Sequence, residues 1–555
     1  MILETPERIK EYGEKSCWIK ETLLDLFYKW VGKNPRKVAL MDPPNKEQLV
    51  GLPPERITYE KLARAVEAVA ASLKESGIRK DDVVVVQLPN TWELAMLYLA
   101  VCRAGGIISP LPMQWRAREF AYVAGITEAK AFITVKDFKG FKHMQMGKEL
   151  QPGLSHLKQV VSLEEIREMA GDRGLAGERD KPVIDANDVF TICWTSGTEA
   201  EPKGCPLSHN NWHHLARYYL LAVGFKEEDI FLCTAPMVNM TGLRTGFIMP
   251  LLTCGGTVVL HHPFDIEICI EQIMREKVTH TTLVPAVLNM ILKHPRTDEF
   301  DLRGIKGLVT GSAPPSLWSF QEFKRRWGIE IVNSWGQSEG TIIMAGLAEV
   351  PELERRVESI PDWGNPGREW VVKEVQTKLI DPETGQPVSE VGGVGELCYR
   401  GPGVIPRYFN QPRLTAKSFD EEGYFRTGDL FQIKEKHFIK FFERCKDIII
   451  RGGFNISAQE VENILQGHPK VFDVAAVAMP DPVLGERTCI YVVPKDKHDP
   501  PVLAELVSFM KEKGVSVYKL PERLEVVDAI PRNAVGKILK RELKEDIRRK
   551  LEARY

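Results

Sequence analysis

Two short stretches of the chain combine residue types that can do chemistry. The first, TSGTEAEPKG from Thr195 to Gly204, crowds three hydroxyls, two glycines and Lys203 into one run. Backbone N–H groups in such a loop can converge on an anion and the lysine adds charge, which suits phosphate. Glu199 and Glu201 oppose that use, because a carboxylate near phosphate is repelled. The run is not a Walker A loop, since Pro202 precedes Lys203 and Gly204 follows it where G-x-x-x-x-G-K-S/T is required. A phosphate loop and an ordinary polar loop are both open at this point. The second stretch, GQSEG from Gly336 to Gly340, fits the G-x-S-x-G nucleophile elbow and follows the apolar IEIVNSW. Taken alone it predicts a serine hydrolase acting through Ser338, although no HGGG-like oxyanion segment accompanies it.

Other chemistries find less support. Ten cysteines are scattered without a C-x-x-C pair, and most, such as Cys193 in VFTICWT and Cys489 in RTCIYVV, lie in apolar runs, so buried free thiols are expected. There is no H-E-x-x-H, and the doublets His213-His214 and His261-His262 are adjacent residues whose side chains point different ways, which argues against a histidine-built metal site.

The elements that must position these residues alternate. In ITYEKLARAVEAVAASLKESGI, Leu62, Val66, Val69 and Leu73 recur at helical spacing, with Thr58 as N-cap and Gly77 at the C-terminal end. DDVVVVQLPN reads as a strand buried on both faces, and WELAMLYLAVCRAGG as the next helix. Strand-like runs recur in AFITV, QVVSL, GTVVLHH, THTTLVP and GIKGLVTGS, which predicts a parallel α/β sheet. The polar stretch 167–187 leads into the strand VFTICW. After about Glu443 the pattern shortens to a helix over AQEVENILQGH, strands in VFDVAAVAMP and RTCIYVVPK, a helix over LAELVSFMKEKG and a strand in RLEVVD, a separate small α+β domain.

Composition sets the outer bounds. The 555 residues are 43% hydrophobic and 27% charged, a globular balance with ample material for a core. Lys plus Arg (74) nearly cancels Asp plus Glu (76), which argues against nucleic acid or an anionic membrane as the main partner. The amino terminus MILETPERIKEYGEK lacks an apolar signal-peptide core, and FIMPLLTCGGTVVL is too short and broken to span a bilayer, so a cytoplasmic protein without integral membrane association is expected.

In chain order the sequence reads TSGTEAEPKG, TAPMVNMTG, GSAPP, NSWGQSEG, YFRTGDL, ERCKDIIIRGGFNISAQEVE and PRNAVGKILKREL. This series resembles the adenylate-forming family of acyl-CoA synthetases, aryl-acid ligases, peptide-synthetase adenylation domains and firefly luciferases, over nearly the whole chain. The resemblance implies an α/β fold: a large N-terminal domain (1–445) of parallel-rich sheets with flanking helices and a small barrel-like part, then a small mobile α+β lid (446–555). It implies ATP, Mg2+ and coenzyme A as cofactors and a carboxylic acid as substrate.

Residue by residue, the resemblance implies that Thr195, Ser196, Gly197, Thr198 and Lys203 close over the ATP phosphates. Gly311, Ser312, Ala313 and Pro314 would line adenine, with Trp335 stacked on the base and Asn333, Gly336 and Ser338 in the same nucleotide-binding set. Glu339 and Thr198 would ligate Mg2+. Asp429 would accept hydrogen bonds from the ribose hydroxyls with Arg444 nearby, Lys446 would be the hinge, and Lys537 would reach the α-phosphate. The catalytic set is then Lys537, Glu339 and Lys203. Gly452 and Gly453 would let a strand approach the pantetheine arm of CoA, and Asn239, Met240, Gly311, Gly336 and Gln337 would border the acyl group.

Departures from the family pattern narrow the expectation. Glu199-Ala200 replaces the common Thr-Gly, and with PMQWRAREF and LGERTCIYVV it is similar to the branch of short- and medium-chain fatty acyl-CoA synthetases and cyclohexanecarboxylate-CoA ligases. Glu199 is expected to point away from the phosphates. Asn239 stands where many relatives carry a histidine or aromatic residue, either opening a polar pocket mouth or hydrogen-bonding the backbone. The expected substrate is a small or medium alicyclic, aromatic or fatty acid. An acyl-AMP ligase that loads a separate carrier protein shares these motifs up to the second half-reaction.

Overall fold

A computed structural model of the chain describes residues 1–171, 183–195, 201–362, 374–445, 447–451, 454–513, 515, 517–533 and 538–552. It packs as two compact units, residues 1–376 with 400–425 and residues 377–399 with 426–555.

In the larger unit, helix Tyr59–Glu75 starts where the sequence places it: the Thr58 side chain accepts from the Lys61 N–H, and Leu62, Val66, Val69 and Leu73 are buried. Strand Val83–Gln87 comes next, buried at every position, and then helix Trp92–Ala104, buried all round. A helix that is apolar on every side has to lie inside the protein. Repetition of this unit builds two sheets. The six-stranded sheet runs, in spatial order, Gln159–Ser162, Ala131–Thr134, Val83–Gln87, Ile107–Pro110, Val189–Thr195 and Lys203–Ser208. Its last pair is antiparallel and its other pairs are parallel.

The eight-stranded sheet holds Thr257–Leu260, Ile230–Cys233, His280–Thr282, Gly307–Gly311 and Ile331–Gln337 as parallel neighbours, and ends in antiparallel Thr341–Ala345. Each sheet therefore finishes in an antiparallel hairpin. One antiparallel pair carries Lys203 and the other leads through the turn that holds Glu339, so both chemical stretches sit at sheet edges.

The smaller unit contains one sheet in the order Phe438–Arg444, Phe425–Glu435, Val394–Arg400, Gln376–Ile380. Its second sheet is centred on the antiparallel pair Val471–Asp481 and Gly485–Pro494, against which helix Ala458–Leu465 packs Val461 and Leu465. The packing division falls ahead of residue 445 because strand Phe438–Arg444 is tied to the start of helix Ala458–Leu465. Ser457 Oγ donates to Phe442 O at 2.9 Å, and the Gln459 N–H donates to Glu443 Oε2 at 2.7 Å. All ten cysteines are free thiols, buried except for the half-buried Cys445. Among the described residues no helix is long and apolar enough to cross a membrane.

Candidate active site

The lysine hairpin pairs Thr195 directly with Lys203, followed by Trp194 with Gly204 and Cys193 with Cys205. The run read from sequence as a loop leaving a strand is thus flanked by two antiparallel strands, Val189–Thr195 and Lys203–Ser208. Ser196, Gly197, Thr198, Glu199 and Ala200 lie outside the described residues. Glu201, the second carboxylate of the run, is exposed and faces Arg118 at 3.4 Å.

In the glutamate hairpin Gln337 pairs with Thr341, and Ser338, Glu339 and Gly340 form the turn. This overturns the serine-hydrolase expectation. A nucleophile elbow is a sharp turn from strand into helix that exposes the serine, whereas Ser338 lies between two antiparallel strands. Gly340 has φ +86°, and a Cβ on it would stand 1.8 Å from Gly403 O, so only glycine permits the approach of the segment 400–411.

That segment, absent from the motifs read in the sequence, ties the two hairpins together. The Ile405 N–H donates to Glu339 O at 3.0 Å, and the Tyr408 hydroxyl donates to Glu339 Oε1 at 2.7 Å. On the other side the Phe409 N–H donates to Gly204 O at 2.9 Å, and Gln411 Nε2 donates to Pro202 O at 3.2 Å. Lys203 Nζ lies 5.6 Å from the centroid of the Tyr408 ring, within cation–π range. Burial first, and then the Glu339 carboxylate, drive the Tyr408 phenol far above its ordinary value, so it stays a donor. Among the described residues neither Glu339 nor Lys203 forms an ion pair.

The arrangement fits the expected magnesium ion. Among the described residues no three His, Cys, Asp or Glu side chains stand together as a metal cage. A lone buried carboxylate such as Glu339 is what Mg2+ uses when its remaining ligands are water and substrate phosphates.

Strand Gly307–Gly311 ends in parallel register with the glutamate hairpin, Gly311 opposite Ser334. A Cβ on Gly311 would meet Ser334 O at 2.5 Å, so close strand approach requires this glycine. Ser312 then adopts φ +71°, a strained conformation for serine of the kind that collects at functional sites, and Ala313 is exposed beside it. Ser312, Ala313 and Pro314 thus leave the carboxyl end of a strand, where open α/β sheets bind ligands. Trp335 is half-buried and Gly336 exposed, while Asn333 is buried, its amide donating to Arg356 O and Val357 O at 3.2 and 3.1 Å. Asn239 Oδ1 accepts from the Gly242 N–H at 3.0 Å and caps the short helix Met240–Leu243, with Met240 buried.

In the smaller unit Asp429 is directly opposite Arg444 across an antiparallel pair, with Arg444 Nε 3.2 Å from Asp429 Oδ1. Asp429 is only 2% exposed, and its N–H donates to Thr427 Oγ1 at 3.2 Å. Lys446, Gly452, Gly453 and Lys537 lie outside the described residues.

The chain matches the AMP-binding enzyme family over residues 27–409 and the AMP-binding enzyme C-terminal domain over residues 460–537. It is 31% identical to the medium-chain fatty-acid–CoA ligase of Escherichia coli, covering 98% of this chain and 94% of that protein. It is 30% identical to the 2,3-dihydroxybenzoate-AMP ligase of Bacillus subtilis, over 99% of this chain and 98% of that one. Among solved structures it is similar to ATP-bound MatB from Rhodopseudomonas palustris, with a TM-score of 0.81, 25% identity, and coverage of 95% of this chain and 99% of that one.

Proposed function

The chain belongs to the AMP-binding enzyme family and is an adenylate-forming acid ligase that uses ATP, and from that premise we propose that it joins a small or medium carboxylic acid to coenzyme A. The observation that carries the reading is the joint placement of Lys203 and Glu339 about Tyr408, an ammonium and a carboxylate that form no ion pair among the described residues. Two opposite charges kept from each other suit a ligand that is itself a cation bound to a polyanion, as magnesium triphosphate is.

In the first half-reaction the acid's carboxylate oxygen attacks the α-phosphorus, the bond from that phosphorus to the bridging oxygen breaks, and pyrophosphate leaves. No general base is needed, because the carboxylate is already ionised. Negative charge grows on the equatorial oxygens and the leaving group, and Lys203 and Lys537 compensate it where water is excluded. Glu339 and Thr198 would hold Mg2+, which would supply further positive charge there. Thr195, Ser196 and Gly197 donate to the phosphates, Ser312, Ala313 and Pro314 with Trp335 hold adenine, and Asp429 orients the ribose. In the second half-reaction the CoA thiol sulfur attacks the acyl carbon, the bond from that carbon to the phosphate oxygen breaks, AMP leaves with the oxygen, and the thiol proton passes to solvent. Lys537 has to leave before the thiol enters, which is the role proposed for a lid of residues 446–555 turning about Lys446.

The acid is proposed to be alicyclic, aromatic or a fatty acid of modest length, bordered by Met240 and Gly336. The similarity to a fatty-acid–CoA ligase supports that class. A nearly equal identity to an aryl-AMP ligase favours a second reading, in which a carrier-protein thiol replaces CoA. A panel of benzoate, cyclohexane- and cyclohexene-carboxylates and fatty acids from butyrate to decanoate, with ATP and Mg2+, tests both. AMP release that requires CoA supports the first reading, and pyrophosphate exchange without CoA-dependent AMP release supports the second. Lys537→Ala is expected nearly to abolish acyl-AMP formation while sparing thioester formation from supplied acyl-AMP; equal loss of both steps would sink the two-state lid.

A further inference from the structure

Tyr408 touches both charged groups of the site through different parts of one side chain. Its hydroxyl donates to Glu339 Oε1 at 2.7 Å, and its ring lies 5.6 Å from Lys203 Nζ. It is 2% exposed, and its backbone is anchored on each side: the Tyr408 N–H donates to Thr415 Oγ1 at 3.0 Å, and the next residue's N–H donates to Gly204 O at 2.9 Å. A lysine and a glutamate brought to one site in a low-dielectric setting attract each other, and a pair formed between them would cancel both charges before any ligand arrived. The tyrosine satisfies one carboxylate oxygen without adding a charge and offers the ammonium an aromatic face.

We propose that Tyr408 is a positioning residue that holds Glu339 and Lys203 apart, so that the carboxylate is kept for the metal ion and the ammonium for the phosphates. The proposal rests on the ligase reading above. Its physical content is a division of labour within one side chain: the hydroxyl sets metal affinity through Glu339, and the ring sets affinity for the metal-free nucleotide through Lys203. A purely structural tyrosine would affect folding and leave both affinities alone.

Two variants separate the parts. Tyr408→Phe keeps the ring and removes the hydroxyl; Tyr408→Leu removes both. For each, the Mg2+ concentration for half-maximal pyrophosphate exchange is measured, together with equilibrium binding of ATP by calorimetry with Mg2+ and with a chelator. For Tyr408→Phe the half-saturating Mg2+ should rise about tenfold, as loss of a partner to a metal ligand commonly causes. Its kcat at saturating Mg2+ and its metal-free ATP affinity should stay at the wild-type level. For Tyr408→Leu, metal-free ATP binding should in addition weaken about fivefold, as Lys203 loses the ring and turns to Glu339. Wild-type Mg2+ dependence in Tyr408→Phe overturns the proposal, as does an equal loss of metal-free and metal-bound ATP affinity in that variant. Failure of the ligase reading itself would show differently, as wild-type Mg2+ dependence in Glu339→Gln.

Discussion

Glu93 and Glu339 are both buried carboxylates of the larger unit, and they differ in what holds them. Glu93 accepts from Lys46 Nζ at 2.7 Å and from Arg167 Nη1 at 2.9 Å, and the same Lys46 reaches Asp42 at 2.6 Å. Lys46, Asp42 and Glu93 have fully buried side chains, and burial first, then the neighbouring Glu93, pushes the Asp42 carboxyl up to about 6. Glu339 is held instead by one neutral hydroxyl. In the first cluster the protein compensates its own charge, which leaves nothing for a ligand to gain. In the second, a charge is desolvated with no cation paired to it among the described residues, an expense that makes sense only if something else neutralises it.

The contrast can be broken from either side. The largest effect is expected from Lys46→Met, which takes the buried Asp42 carboxylate's lysine away and leaves Glu93 with Arg167 alone, and should cost about 3–5 kcal/mol in urea unfolding while activity per folded molecule is unchanged. A catalytic defect in the folded fraction would show that this cluster also serves the reaction. Glu339→Gln should do the reverse, lowering acid-dependent pyrophosphate exchange about 100-fold or more with little change in the unfolding midpoint. A large loss of stability in that variant would make Glu339 structural after all.

A third kind of buried group sharpens the comparison through pH. His209, His213 and His214 stand on the helix that leaves the lysine hairpin, and burial lowers them to about 4, 4 and 3. Their folded values lie below the ordinary 6.5, so the stability they contribute is complete above pH 6.5 and is lost as the pH falls towards 4. Denaturation at neutral pH and near pH 4 should show His209→Gln shedding up to about 3 kcal/mol of that acid loss; an unchanged acid limb would mean that His209 is not held neutral. The smallest effect belongs to the exposed pair of Arg118 and Glu201. Arg118→Ala should change stability by no more than about 0.5 kcal/mol and leave ATP affinity alone. A shift in that affinity of about fivefold, about 1 kcal/mol, would show that Glu201 bears on the nucleotide.

Local signals carried a good deal. Thr58 caps its helix and Val83–Gln87 is a buried strand because capping and unbroken β-branched runs act over a few residues. GQSEG shows the limit: five residues are compatible with a turn into a helix or a turn into a strand. The TIIMA run after it becomes a strand because its partner, Ile331–Gln337, is already in place as the last parallel strand of the sheet. Tyr408 left no local trace, because its partner Glu339 is 69 residues away and a contact at that separation has no local spacing to mark it. Asn239 was open in the sequence because an asparagine that caps a helix and one that lines a pocket look alike there.

The residue types and their order along the chain determined the α/β architecture, the family and the chemistry available, since these rest on short-range periodicity and on many motifs agreeing. Only the tertiary structure decided which carboxylate is spent within the protein and which is kept for a ligand. Charge compensation depends on which distant side chains share a buried volume. Lys46 and Arg167 reach Glu93, whereas a tyrosine from a remote segment reaches Glu339.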